Sequence, residues 1–176
     1  MAPQYDFPLG TSQKDPNFRR IRRIITDFRG YDTIEDLRAA DEQVRAMLAE
    51  QLRKTINGMA GVRELLSDRM RLSVMPDFDD MAQQMRKTLE RLEGRQSPRV
   101  VECRVYTPWR DAIGEVYRLD FQMLTDAENI FNLMQEFQRL LQEDLIRGNI
   151  VKIAMAAREI SAGMDKKEKQ YACMMG

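Results

Sequence analysis

The chain has 176 residues, 28 basic and 28 acidic side chains, 43% hydrophobic residues and no histidine. That length supports one core-forming domain, and the composition fits neither a disordered chain nor a membrane bundle. Without histidine, Ser-His-Asp, Cys-His and His-x-x-x-His chemistry is excluded within the chain, and zinc loses its commonest nitrogen ligand.

Residues 1–15 carry Pro3, Pro8, Gly10, Thr11 and Ser12 with little apolar periodicity, and read as an extended arm. Asp15 then offers an N-cap with Pro16 at the first helical position. Phe18, Ile21, Ile25 and Phe28 follow at spacings of three, four and three, which predicts a helix ended by Gly30. Its other side carries Arg19, Arg20, Arg22 and Arg23.

Thr33 with Asp36 forms a weak capping box, and an apolar stripe runs from Val44 to Met70 with no proline between Ile34 and Ser73. Unbroken, ~40 residues would span about 60 Å, against about 40 Å for a compact sphere of this chain length. The molecule is therefore expected to be elongated, or bent at Gly58 and Gly61. Pro76 is read as the end of that element, and Asp77 or Asp79 as the cap of the next. Phe78, Met81, Met85, Leu89 and Leu92 make the following stripe, stopped by Gly94.

Val101, Cys103 and Val105 alternate with charged residues in a short extended connector around 100–106. Thr107 and Pro108 repeat the cap signature, and the stripe from Ile113 to about Ile146 allows one helix or two, with a restart at Thr125. A break is expected at Gly148 and Asn149. Ile150, Ile153, Ala157, Ile160 and Met164 carry a last helix, after which KKEK runs into YACMMG. The fold class is all-α, an elongated antiparallel helical bundle over 16–170, with an apolar C-terminal tail at 171–176.

Two cysteines make no disulfide framework, and with no basic-then-apolar leader in MAPQYDFPLG the chain is read as reduced, cytoplasmic and without a membrane span. Asp77, Asp79 and Asp80 lack the glycine turn and distal glutamate of a calcium loop, and read as helix-start carboxylates. No catalytic, cofactor or metal site is expected.

What remains points to binding. Arginine outnumbers lysine 21 to 7, and Lys14 to Arg29 holds six basic and two acidic residues. Arg19, Arg20, Arg22, Arg23 and Arg29 are thus candidate contacts for an acidic partner or for phosphates. Tyr171, Met174 and Met175 are candidates for an apolar plug that docks on this bundle or on a neighbouring subunit. The expected function is a non-catalytic helical interaction protein, a scaffold, adaptor or subunit that forms a homo-oligomer or joins a protein partner. The alternative is a nucleic-acid-associated helical subunit acting through the arginine-rich helix.

Overall fold

The computed structural model describes residues 12–94, 109–140 and 142–175. Within them five α-helices form an elongated bundle: α1 (Pro16–Ile24), α2 (Ile34–Asp68), α3 (Met75–Leu92), α4 (Trp109–Glu136) and α5 (Glu143–Met175). The connector expected around 100–106, and residues 1–11 of the expected arm, lie outside the described residues.

The caps read from sequence form. The Asp15 carboxylate accepts from the amides of Asn17, at 2.7 Å, and Phe18, and Thr33 Oγ accepts from the Asp36 amide at 3.0 Å. Ser12–Lys14, expected to be extended, is instead a short 3-10 turn. Helix α1 stops at Ile24 rather than running to Gly30. Ile25 is already extended, with φ −116° and ψ 97°, and the turn that follows lets Ile25, Phe28 and Tyr31 all reach the core.

At 35 residues α2 is about 52 Å long. It passes Gly58 and Gly61 without a break, and both face open space, so neither marks a close helix crossing. Its end is set by Met70, which adopts a left-handed φ of 54°. The amide of Arg71 then reaches back to the Leu66 carbonyl at 2.9 Å, the closure that usually falls to glycine. Pro76 does not end a helix: it sits in the first turn of α3, where its missing N–H costs no hydrogen bond. Asp77 and Asp79 lie inside that helix rather than capping it.

Helices α2 with α3, and α4 with α5, form two antiparallel hairpins. These lie side by side, with α2 against α4 and α3 against α5. Asp77 meets Arg147, Thr88 meets Ala157, and Arg91 meets Asp165, so α3 and α5 ascend together. The four helices are the corners of a square with α2–α5 and α3–α4 on its diagonals. Helix α1 lies over the α2–α4 face, its Phe18 against Tyr117 and its Ile24 beside Leu124.

Residues 109–146 make two helices, but the restart is not at Thr125, whose hydroxyl donates to the Phe121 carbonyl inside α4. Helix α4 gives way to a turn at 137–140, where the Arg69 guanidinium donates to the carbonyls of Leu140, at 3.1 Å, and Gln138, at 3.2 Å. No break occurs at Gly148 and Asn149. The Asn149 carboxamide donates to the Leu133 carbonyl and to Glu136, and α5 continues through Met175, so no separate tail leaves the bundle at 171.

A Cβ placed on Gly163 would lie 2.8 Å from Cγ and 2.9 Å from Sδ of Met123, so this glycine sets how closely α5 approaches α4. Gly163→Ala is expected to cost about 1–3 kcal/mol through overpacking. Gly58→Ala and Gly61→Ala should each stabilise by about 0.5–1 kcal/mol, through the lower chain entropy of alanine. Urea denaturation of the three variants checks the contrast; a stabilising Gly163→Ala would mean that α4 and α5 are not in this register.

Candidate functional site

The densest chemistry lies at the end of the bundle where α2 and α4 begin and α5 finishes. Lys167, only 3% exposed, projects from α5 toward Asp120 of α4, which is 0% exposed. Its ammonium donates to Asp120, to Tyr31 Oη at 3.1 Å and to Asp41 of α2 at 2.7 Å. Tyr31 donates its hydroxyl to the other Asp120 oxygen, and Tyr171 donates to Asp41 at 3.1 Å. The Tyr117 hydroxyl accepts from the Tyr31 amide at 2.8 Å. The rings of Tyr31 and Tyr171 lie 5.5 and 5.6 Å from the ammonium, adding a cation–π attraction.

The charges settle as one lysine between two carboxylates. Burial alone would lower Lys167, but Asp120, Tyr171 and Asp41 outweigh it and hold the ammonium above its ordinary range. Asp41 also works against burial: Lys167 and Arg45 pull it below the usual carboxylate value. Burial raises Asp120, Tyr31 and Tyr171. The surface clefts around α1, between α2 and α4, and between α3 and α5 are lined by other residues. With its donors and acceptors matched to one another, the cluster is built as a clamp joining α2, α4, α5 and the turn after α1.

Tyr171, expected as a partner contact, is therefore occupied inside the chain, and Met174 is buried in the core beside it. Of the two destinations open to the apolar plug, these two residues take this bundle. Cys173 differs from its expected reduced state: it is disulfide-bonded. The only other cysteine in the sequence, Cys103, lies outside the described residues.

Arg19, Arg20 and Arg23 stand on the side of α1 away from its buried Phe18 and Ile21, Arg22 lies over the Phe18 ring at 5.8 Å, and Arg29 follows in the turn after α1. Arg19, Arg20, Arg22, Arg23 and Arg29 are all exposed, and none makes an ion pair among the described residues. Arg20 lies over the Phe121 ring at 5.2 Å, and Arg19 donates to the Gln13 carbonyl. Arg22 and Arg29 share a cleft of about 670 Å³ with Asp27, Asp32 and Asp36, so carboxylates temper their charge. Arg19, Arg20 and Arg23 lie outside that lining.

The acidic run at the start of α3 is divided. Asp77 pairs with Arg147, and Asp79 takes two bonds from Arg63 at 2.9 and 3.2 Å. Among the described residues no group of three or more Asp, Glu or Cys side chains is arranged to hold a metal ion, and no helix is long and apolar enough to cross a membrane. Compared with known protein families, curated proteins and solved structures, the chain matches none.

Two outcomes follow. Lys167→Met leaves the buried Asp120 without its counter-charge and Asp41 with Arg45 alone, and is expected to lose about 3–5 kcal/mol at neutral pH. Folded Asp41 binds a proton more weakly than the unfolded chain, so its contribution is present above the ordinary Asp pKa and lost as pH falls. Lys167 binds its proton more tightly when folded, so its contribution is present below the ordinary Lys pKa and lost as pH climbs. The deficit of Lys167→Met should therefore shrink in acid, where both carboxylates protonate; a deficit independent of pH would mean the clamp is not ionic. Separately, alkylation of denatured, unreduced protein followed by peptide mapping should leave Cys173 unlabelled, and should label it after reduction. Labelling of Cys173 without reductant would contradict the bond there.

Proposed function

We propose that the protein is a non-catalytic helical interaction subunit that binds an acidic partner through the guanidinium row of α1. The observation that carries this reading is that Arg19, Arg20 and Arg23 stand exposed, without carboxylate partners among the described residues, on a helix whose other face is locked into the core. Several arginines elsewhere find partners, Arg53 with Glu93, Arg63 with Asp79, Arg118 with Glu115 and Arg147 with Asp77, while the exposed Arg38, Arg86, Arg139 and Arg158 make no ion pair among the described residues; α1 is set apart by carrying three such forks within five residues of one helix. A fork left unmatched on a rigid element suits carboxylate or phosphate recognition, because little ordering is left to do on binding.

The chemistry-bearing residues of the interior support the same reading. Lysine, tyrosines and aspartates that would suit acid–base work at an open cleft are spent on one another in the clamp. The bond at Cys173 favours an oxidising setting over the cytoplasmic one expected from cysteine count, because disulfides persist where thiols are not kept reduced. Nucleic-acid phosphate is the second reading, favoured by the same unmatched forks.

Fluorescence anisotropy with a labelled polyglutamate peptide and a random-sequence DNA duplex, each at low and high salt, separates them. Binding to the peptide that is lost in Arg19→Gln/Arg20→Gln/Arg23→Gln, with helicity unchanged, is the expected result. Tighter binding to DNA with a steep linear fall of log affinity against log salt would replace it with the nucleic-acid reading. Failure to bind either probe would remove α1 as an interaction face.

A further inference from the structure

The α3–α5 face lies across the square from α1 and carries a second surface. Val151 and Met155, one turn apart on α5, are 56% and 57% exposed. Beside them a groove of about 320 Å³ runs between α3 and α5, with Asp77 and Asp80 on one wall and Arg147 and Arg158 on the other. Arg147 is neutralised by Asp77 and Glu143. Arg158 and Asp80, both exposed, make no ion pair among the described residues.

The geometry points to a second copy of this chain as the occupant, with the two α5 helices antiparallel about a two-fold axis between Val151 and Met155. The register follows from the helix rise of 1.5 Å per residue. The axis falls at the level of residue 153, so Arg158 lies about 7.5 Å to one side of it and its symmetry copy about 7.5 Å to the other, at the level of residue 148. Because α3 ascends beside α5 with Asp77 next to Arg147, the levels of Asp77 and Asp80 correspond to residues 147 and about 150. The copied guanidinium therefore arrives between those two carboxylates.

The same rotation sets each Met155 opposite the other copy's Val151. It also brings the stem of Arg158 over Gly148, where no atom lies within 4 Å of a Cβ position. A two-fold axis perpendicular to the helices keeps Arg158 on the α3 side, which is where the aspartates stand. Every contact occurs twice, as an isologous interface requires. A charge distribution of this kind complements itself, whereas a neutral apolar peptide would leave both Arg158 and Asp80 unmatched.

The inference rests on the reading of the chain as an assembling protein, and its test is separable from the test of α1. Light scattering on a sizing column, across a broad concentration range, should show the full chain passing from monomer to dimer. Met155→Glu places a charge at the two-fold seam and should weaken dimerisation at least about tenfold, equivalent to about 1.4 kcal/mol, with unchanged circular dichroism. Arg158→Asp and Asp80→Arg should each weaken it, and the double variant should restore it, because the swapped charges meet again across the axis. A wild-type chain that stays monomeric at every concentration would overturn the inference. So would a dimer indifferent to Met155→Glu, or one that the double variant fails to rescue. Polyglutamate or DNA binding through α1 would persist in those cases, and its presence or loss judges the proposed function independently.

Discussion

The arrangement of the bundle depends on one buried ammonium. Helices α2 and α5 stand on a diagonal of the square, where backbones do not approach, and Lys167 and Tyr171 span that gap to Asp41 while Asp120 holds the lysine from α4. Apolar burial supplies most of the folding free energy, yet it is tolerant of sliding: a Leu or Met stripe packs almost as well one turn away. A lysine that must meet two carboxylates and a tyrosine hydroxyl has one acceptable register. Replacing the whole set by apolar residues need not destabilise the fold, but removing a single member strands a buried charge. The cluster therefore acts on which packing is chosen more than on how tightly the chain is packed.

That logic explains which helix ends were legible in the sequence. Asp15 and Thr33 bond to amides two or three residues away, so their caps are local and read directly. The end of α2 is made by Met70 in a left-handed conformation, a role for which the sequence signal is glycine. The end of α4 is made by Arg69, whose guanidinium takes the Leu140 and Gln138 carbonyls from 71 and 69 positions away. Nothing in the segment EFQRLLQED announces that turn. Conversely, Gly148-Asn149 has the composition of a break, but the asparagine is satisfied by α4 and the helix runs on.

The clamp itself left a faint trace. Ile153, Ala157, Ile160 and Met164 descend α5 at spacings of four, three and four, and three and four more residues reach Lys167 and Tyr171, so the lysine occupies a core position of its stripe. Asp120 fills the gap between Val116 and Leu124 in the same way. A charge on an apolar stripe implies a buried partner, whereas the run KKEK, taken as composition, implies only a solvated face. The arginine row was legible because Arg19, Arg20 and Arg23 oppose Phe18 and Ile21 at helical spacing. Whether neighbouring carboxylates neutralise it depends on tertiary placement: Asp27, Asp32 and Asp36 fall beside Arg22 and Arg29 and leave the other three unmatched. Tyr171 and Met174 show the limit of such reasoning, since an apolar pattern reads the same whether it covers its own core or another's.

With the interior charges spent on register, the groups left unsatisfied are those that the square turns outward, and its two broad faces differ. The α2–α4 face is covered by α1, whose docking converts it from apolar to cationic. The α3–α5 face keeps an uncovered apolar pair between fixed charges of both signs. A two-fold contact through the second would leave the first exposed on both copies, directed away from the seam. Two guanidinium rows on one rigid body raise the effective concentration of the second row once the first is engaged, so pairing through α5 would strengthen binding through α1 without any new contact to the partner. The spacing of the rows would then be set by α3 and α5, and through Lys167 by the clamp that holds α5 in register with α2 and α4.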